Sequence, residues 1–336
     1  MIELAVFGAG RIGCVHGRNA GRQPGARLRY IVDPVASESR ASLAAETGAE
    51  VVDAEAVFAD PSIAGVIIAS STDTHADLLL RAVEARKPIF CEKPVSLDFA
   101  TVLRVAAAVE ASGVPCMLGF QRRYDQNFRR VRDRIASGEA GALEQIVMHT
   151  RDPSPPPIAY VERSGGMFRD QAIHDFDQAR YLSGEEIATV YAVGGCMIDP
   201  AIGAAGDIDC AMITLTTASG KLVSLNNQRR APFGYDQRLE AFCARESFFI
   251  GNSLRDAVTV GSASGFVAAP PMNNFIERFA DAYRAEMQTF VAGIARGAPS
   301  LAGIRDGLEA QRLAEAAIVS MRTGLRVRLE RDWRPD

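Results

Sequence analysis

The sequence predicts an α/β protein in two parts: a doubly wound parallel sheet over residues 1–120, then an α+β part over 121–336 built on a mostly antiparallel sheet. Three observations predict it. Short apolar runs alternate with segments of helical spacing up to about residue 120, longer strand-like stretches follow after about residue 140, and a glycine-rich turn comes directly after the first apolar run. A chain of 336 residues is also too long for one ordinary core and suits two.

The apolar runs at 3–7, 28–32, 66–69, 89–91 and 114–118 read as strands, and the segments 76–86 and 99–111 between them carry helical spacing. Strand and helix in alternation imply parallel strands with helices on both faces. Strands are then expected at 143–151, 189–197, 208–217 and 221–228, with Ser219-Gly220 as a hairpin signal between the last two. One long helix is expected over 275–295, because Phe275, Phe279, Tyr283, Met287, Phe290 and Ile294 recur at three- and four-residue spacing, and another over 303–322. The run 153–157 reads as a stiff extended segment and 194–206 as a glycine-rich connection, while 252–271 has no clear period.

Composition excludes several classes. Hydrophobic residues make up 48% and charged residues 23%, the balance of a globular chain, and a net charge of −4 offers no broad attraction for a phosphate backbone. Arg122, Arg123, Arg129, Arg130, Arg132 and Arg134 crowd one segment with Tyr124 and Phe128, but in an acidic whole they read as a solvated helix face, with Arg122 alone near a crevice. The six cysteines are scattered without a CxxC pair or a Cys/His cluster, so neither a metal site nor disulfides are expected. Reduced thiols, Glu3 where a leader would be basic, and no apolar run near the ~20 residues of a membrane span predict a cytoplasmic protein.

The first chemical motif is Gly8-Ala9-Gly10-Arg11-Ile12-Gly13. Alone it is equally compatible with a plain turn, but it follows a strand and opens a helix, the setting in which glycines let backbone N–H groups approach a pyrophosphate. Asp33 ends the second strand, twenty residues beyond Gly13, where a carboxylate binds adenosine ribose hydroxyls. That carboxylate repels a 2′-phosphate, and Pro34 and Val35 supply no cation to pair one, so NAD is expected over NADP. The competing reading of Asp33 is a turn residue at a strand end.

The second motif, Cys91-Glu92-Lys93-Pro94, lies at the carboxyl end of a strand, where ligands bind in doubly wound sheets. Pro94 biases Lys93 away from helical dihedrals, and an ammonium there would stabilise a developing alkoxide. A solvated surface lysine is the alternative. The third is Asp170-Gln171-Ala172-Ile173-His174-Asp175-Phe176-Asp177, in a helical pattern that sets Asp170 and His174 four apart on one face. Histidine is the natural base for an alcohol near neutral pH, whereas a capping aspartate beside a core histidine is the bland alternative.

In order and spacing these motifs resemble the glucose-fructose oxidoreductase, inositol dehydrogenase and rhizopine catabolism (Gfo/Idh/MocA) family, and within it the members that oxidise inositols. Further matching strings run almost end to end: residues 72–77, 90–94, Gly119-Phe120-Gln121-Arg122-Arg123-Tyr124-Asp125, Arg151-Asp152-Pro153, 164–177, Phe233-Gly234-Tyr235-Asp236 and 278–283. Gln121 departs from the pattern, since Asn or Met is expected there.

The resemblance implies a Rossmann NAD-binding domain, then a substrate-binding and oligomerisation domain whose open sheet makes dimer and tetramer contacts, the last helices packing back on the first. It implies a cofactor set of Gly8, Gly10, Arg11, Ile12, Gly13, Asp33, Ser70, Thr72, His75, Glu92 and Lys93. It places Gln121, Arg122, Asp152, Tyr235 and Tyr283 around a polyol with Lys93, Asp170 and His174. Lys93 would polarise the hydroxyl, His174 act as base and Asp170 position the substrate or His174. The implied reaction is NAD-dependent oxidation of a cyclic polyol without a metal, with myo-inositol as leading substrate and scyllo-inositol or a pyranose sugar as the alternative. A non-catalytic NAD and sugar sensor is a remoter alternative, which has no need to keep Lys93, Asp170 and His174 together.

Overall fold

The computed structural model describes residues 1–297, 299–330 and 332–335. Its chain begins β1 (Ile2–Phe7), α1 (Arg11–Gly21), β2 (Ala26–Val32), α2 (Glu38–Thr47), β3 (Glu50–Val51), α3 (Ala54–Ala59), β4 (Ile63–Ile68), α4 (Thr72–Glu84), β5 (Ile89–Cys91), α5 (Phe99–Ser112) and β6 (Cys116–Leu118). A 3₁₀ turn (Gln121–Tyr124), α6 (Gln126–Ala136), β7 (Leu143–Arg151), α7 (Ile158–Ser164), a π-helical turn (Phe168–Ala172), α8 (Ile173–Ser183), β8 (Ile187–Gly195), α9 (Pro200–Ala204), β9 (Cys210–Thr217) and β10 (Leu222–Gln228) follow. The chain ends with β11 (Asp236–Cys243), β12 (Ser247–Ile250), β13 (Thr259–Ser262), β14 (Gly265–Ala268), α10 (Phe275–Arg278), α11 (Ala280–Arg296), α12 (Ile304–Thr323) and β15 (Val327–Arg328).

The first six strands form one parallel sheet in the order β3-β2-β1-β4-β5-β6. The strand order reverses direction between β1 and β4, so the carboxyl ends of those two strands open the ligand crevice of a doubly wound sheet. Leu4, Val6, Ile67 and Ile68 are wholly buried, as strands covered on both faces require. Both β2 and β4 start before their apolar runs, because pairing with β1 already includes Arg27 and Gly65. Capping marks helices that periodicity did not: Ser37 accepts the Arg40 N–H at the start of α2, and Asp53 accepts that of Ala56 at the start of α3.

The second sheet has the order β12-β11-β7-β10-β9-β8-β15. Its neighbours are antiparallel except β7 and β10, which run parallel across a long intervening connection. Strands β9 and β10 are the hairpin turned by Ser219-Gly220. Strands β9 and β10 alternate residue by residue, and β7 does so from Ile146 on. Ile146, Met148, Ile213, Leu215, Val223 and Leu225 are buried, while Tyr191, Met212 and Leu222 stand exposed on the opposite face.

Three expectations need correction. Strands β11 and β12 were not anticipated. The helix expected over 275–295 is broken at Phe279, whose ring is fully buried edge-on against Tyr235 and whose backbone leaves helical dihedrals. The aperiodic stretch 252–271 contains the hairpin β13–β14, which is exposed on both faces and so has no buried side to impose alternation.

The chain divides into two compact units, Met1–Asp125 with Asp281–Gln311, and Gln126–Ala280 with Arg312–Asp336. The sequence-based cut between 120 and 121 thus falls five residues before the first segment ends, and α12 contributes to both units.

Candidate active site

In the first unit the three glycines of the turn after β1 have different reasons to be glycine. Gly8 has φ +95°, and a Cβ there would lie 2.5 Å from the Ala69 carbonyl oxygen. A Cβ on Gly13 would lie 2.1 Å from the carbonyl oxygen of Gly8. At Gly10 nothing lies within 4 Å. The outer glycines therefore serve the protein's own packing, while the middle one keeps open the N-terminus of α1, which starts at Arg11 and Ile12. The first-turn N–H groups and the helix dipole there suit a diphosphate.

Asp33 Oδ2 accepts the Ala9 N–H at 2.7 Å and Oδ1 accepts that of Val35 at 2.9 Å. Two backbone donors thus hold the carboxylate and leave lone pairs for a ribose diol. Arg40 Nη1 donates to the Asp33 carbonyl oxygen at 2.8 Å. It is a cation that reading only Pro34 and Val35 overlooked, because it comes from α2. Backbone donors and a carboxylate together fit NAD.

At the end of β4, Ser70 and Thr74 share a hydroxyl contact of 2.6 Å, with Thr72 opening α4. His75 is fully buried, with Nδ1 2.8 Å from the Pro94 carbonyl oxygen and Nε2 3.2 Å from that of Ser70. Carbonyls only accept and burial pushes the imidazole pKa down, so a neutral ring donates through the shorter contact. His75 ties together the loops that present Ser70 and Lys93, instead of offering its ring outward.

Glu92 turns inward from the end of β5. Its Oε1 lies 2.7 Å from Nε2 of buried His16 on α1, and its Oε2 accepts the Lys93 N–H at 3.2 Å. The carboxylate fits because Gly119 has no side chain: a Cβ there would sit 2.9 Å from it. His16 packs against Phe90 and edge-on to Tyr283, so Tyr283 is a buried ring on α11. On the same helix Glu286 is fully buried, and neither carboxyl oxygen bonds any described residue. Burial, reinforced by Glu92, raises its pKa well above the ordinary carboxyl range. Gln121 and Arg122 are buried in the 3₁₀ turn. Arg123, expected on a solvated face, is also buried and pairs with Asp306 at 2.9 Å, since that face turns inward at the first turn of α12; Arg129 and Arg130 are exposed as expected.

The second unit gathers the other residues at the carboxyl ends of the parallel pair β7 and β10. Asp152 follows β7 and Arg229 follows β10, one residue beyond the register pair Arg151–Gln228. Arg229 donates to Asp152 Oδ2 at 3.3 Å and to Asp170 Oδ2 at 3.0 Å, with its side chain only 4% exposed. Asp152 also accepts from Gln171 Nε2 at 2.7 Å, and Asp170 Oδ1 accepts the Tyr160 hydroxyl at 2.8 Å. Burial pushes the Asp152 carboxyl up, opposed by Arg229 and reinforced by Asp170. Burial opposes the Arg229 charge, but Asp170 and Asp152 outweigh it and hold its pKa above the usual value. Tyr235 is buried just before β11.

The α-helical spacing assumed for Asp170 and His174 requires correction. Asp170 lies in the π turn Phe168–Ala172, and only from Ile173 does the α-helix that carries His174 begin. An extra residue in one turn shifts the side chains before it around the axis, and such turns recur at functional sites. Arg229, Tyr160, Arg40, His16 and Glu286 were all missed from sequence. The doublet Arg229-Arg230 at a strand end was the one available hint.

An α/β fold whose first unit offers a dinucleotide site and whose second gathers two carboxylates at strand ends, beside the helix that carries His174, is that of a nicotinamide-dependent oxidoreductase. Residues 2–120 match the oxidoreductase family with an NAD-binding Rossmann fold, and residues 128–249 match the GFO/IDH/MocA C-terminal domain. The chain belongs to this family. It is 41% identical to the inositol 2-dehydrogenase of Rhizobium meliloti strain 1021, with 95% of this chain and 97% of that protein covered. It superposes on a myo-inositol dehydrogenase from Corynebacterium glutamicum with TM-score 0.94 and 40% identity, covering 98% and 99% of the two chains. A scyllo-inositol dehydrogenase from Lactobacillus casei, solved with bound NAD(H) and scyllo-inositol, gives TM-score 0.90 and 27% identity over 98% and 99%. No helix among the described residues is long and apolar enough to cross a membrane.

Proposed function

We propose that the protein is an NAD-dependent dehydrogenase that oxidises a secondary hydroxyl of a cyclic polyol, with myo-inositol as leading substrate and 2-keto-myo-inositol as product. The observation that carries this reading is the pair Asp152 and Asp170, side by side next to the helix of His174. Carboxylates accept hydrogen bonds from several hydroxyls of a neutral ring and disfavour an anionic substrate. The family and the inositol-oxidising relatives support it.

In this reading Lys93 donates to the reacting hydroxyl and stabilises the negative charge that grows on its oxygen. His174 takes the hydroxyl proton as general base, and Asp170 accepts from a neighbouring hydroxyl or orients His174. Gln121, Arg122, Asp152, Tyr235 and Tyr283 contact the remaining hydroxyls. NAD, when bound, accepts the hydride from the carbinol carbon, so the products are the ketone, NADH and a proton. The residues proposed to hold it are Gly8, Gly10, Arg11, Ile12, Gly13, Asp33, Ser70, Thr72 and Lys93, with His75 and Glu92 acting from behind by fixing the loops that carry Ser70 and Lys93.

NADH formation across myo-inositol, scyllo-inositol and pyranose sugars tests the proposal. The highest kcat/KM is expected with myo-inositol. A higher value with scyllo-inositol or a pyranose moves the substrate assignment to that compound, and no turnover with NAD bound points to a sensor.

We further propose a homotetramer, a dimer of dimers formed through the open sheet face. Tyr191, Met212, Leu222 and Phe249 are 40%, 61%, 50% and 67% exposed in the single chain, an apolar surface that a second copy would cover. Sedimentation showing only monomer at micromolar concentration would contradict this. Six free cysteines support a reducing, cytoplasmic location.

A further inference from the structure

The strand ends that carry Asp152 and Arg229 are tied to the helix of His174 at two successive levels on one face. At the first level Asp175 of α8 accepts the Thr150 hydroxyl through Oδ1 and the Asn227 amide through Oδ2, both at 2.7 Å, and Thr150 and Asn227 are register partners. Two residues further along each strand, on the same face by the period of two, stand Asp152 and Arg229. The first level is a neutral donor pair around one carboxylate. The second is different in kind, with one buried guanidinium between two carboxylates.

We propose that Arg229 is a positioning residue that fixes the Asp170 carboxylate, ionised and correctly aimed, for the polyol. The proposal rests on the reading of Asp170 given above. Arg229 is nearly inaccessible, and its planar fork reaches Asp170 and Asp152 at once, which the point charge of a lysine cannot reproduce. One oxygen of Asp170 is held by Arg229 and the other by the Tyr160 hydroxyl. A carboxylate held at both oxygens keeps a defined direction for its remaining lone pairs. Without the cation, two neighbouring, partly buried carboxylates have no shared counter-charge, so one takes up a proton or swings away. Either outcome spoils Asp170 as an acceptor for a substrate hydroxyl. The π turn adds to this need, because it offsets Asp170 from the helix that follows and leaves its direction to side-chain ties.

A double-mutant cycle tests the idea, with steady-state kinetics on myo-inositol and NAD for wild type, Arg229→Leu, Asp170→Asn and the double variant. Arg229→Leu should lower kcat/KM for myo-inositol by roughly 100-fold, with KM for NAD unchanged, and Arg229→Lys should recover part of that loss. In the Asp170→Asn background the same substitution should cost no more than about 3-fold, because the group it acts through is already altered. A purely structural arginine would give equal losses in both backgrounds, and that result overturns the proposal, as would a fully active Arg229→Leu beside an impaired Asp170→Asn. Normal activity of Asp170→Asn and Asp170→Ala would instead sink the reading of Asp170 on which the proposal rests. Should Arg229→Leu not fold by circular dichroism, the Arg229→Lys variant carries the same cycle and the same two outcomes.

Discussion

The dinucleotide side in the first unit and the carboxylate cluster in the second are built from different materials. The first is made of backbone: N–H groups at the start of α1, missing β-carbons at Gly8, Gly10 and Gly13, and a carboxylate of Asp33 held by two main-chain donors. The second is made of charged side chains, Asp152 and Asp170, compensated by the buried guanidinium of Arg229. A backbone site tolerates little change of shape. A side-chain cluster tolerates little change of charge, because removing one partner leaves a buried charge uncompensated.

The largest effect should come from the residues proposed to act on the reacting hydroxyl. His174→Ala should lose on the order of 10² to 10⁴ in kcat, as for a missing general base, while NAD still binds. In the wild type the rate of polyol oxidation should fall toward acid pH, because only a neutral imidazole accepts the proton. Lys93→Ala should also lose most of kcat. Near-normal turnover in both variants, with intact NAD affinity, would break the comparison.

The glycines sharpen it from the other side. Gly13→Ala forces a Cβ to 2.1 Å from the Gly8 carbonyl oxygen, so the turn itself must shift; thermal denaturation should register a loss of about 1–3 kcal/mol. Gly10→Ala meets nothing within 4 Å and should leave the melting curve unchanged while raising KM for NAD. Equal melting losses in the two variants would mean that the glycines do not divide their tasks in this way.

Cofactor choice is a smaller effect. The wild type should favour NAD over NADP by at least about tenfold in kcat/KM, or roughly 1.4 kcal/mol. Asp33→Ala should shrink that ratio, because the carboxylate that repels a 2′-phosphate is gone while the Arg40 cation remains 2.8 Å from the Asp33 carbonyl. An unchanged ratio would argue against Asp33 as the discriminating group.

The smallest effect concerns Glu286. Burial raises its folded pKa well above 4.5, so above about that pH the unfolded chain releases a proton that the folded chain keeps. Stability attributable to this residue therefore falls as pH rises from there toward the folded pKa. Glu286→Gln should be increasingly more stable than the wild type over that range, read from Tm in a pH series. A constant difference in Tm would mean that Glu286 is ionised in the folded protein.

The contrast also explains what could be read without the structure. β1, its glycine turn and Asp33 lie within one contiguous stretch, and strands buried on both faces announce themselves as apolar runs. The hairpin β13–β14 has no buried face and gave no period. Strand β11 alternates, but Asp236 and Gln237 are buried polar residues, and a pattern of apolarity alone passes over them.

By itself the sequence determined the doubly wound first unit, the NAD turn, the positions of Lys93, Asp170 and His174 in their motifs, and the mostly antiparallel sheet that follows. All of these rest on local spacing, on the few residues that permit a given turn, or on burial that repeats with the period of the element. Only the tertiary structure decided that Arg229 meets Asp152 and Asp170, that Glu92 turns back to His16, that Arg40 reaches the Asp33 loop and that Arg123 is buried against Asp306. These pairings join residues from separate strands and helices, and their partners are set by which strands run parallel and in what register. A charged side chain reads the same in sequence whether it ends in water or in a salt bridge. Packing, by withdrawing water from it, decides which.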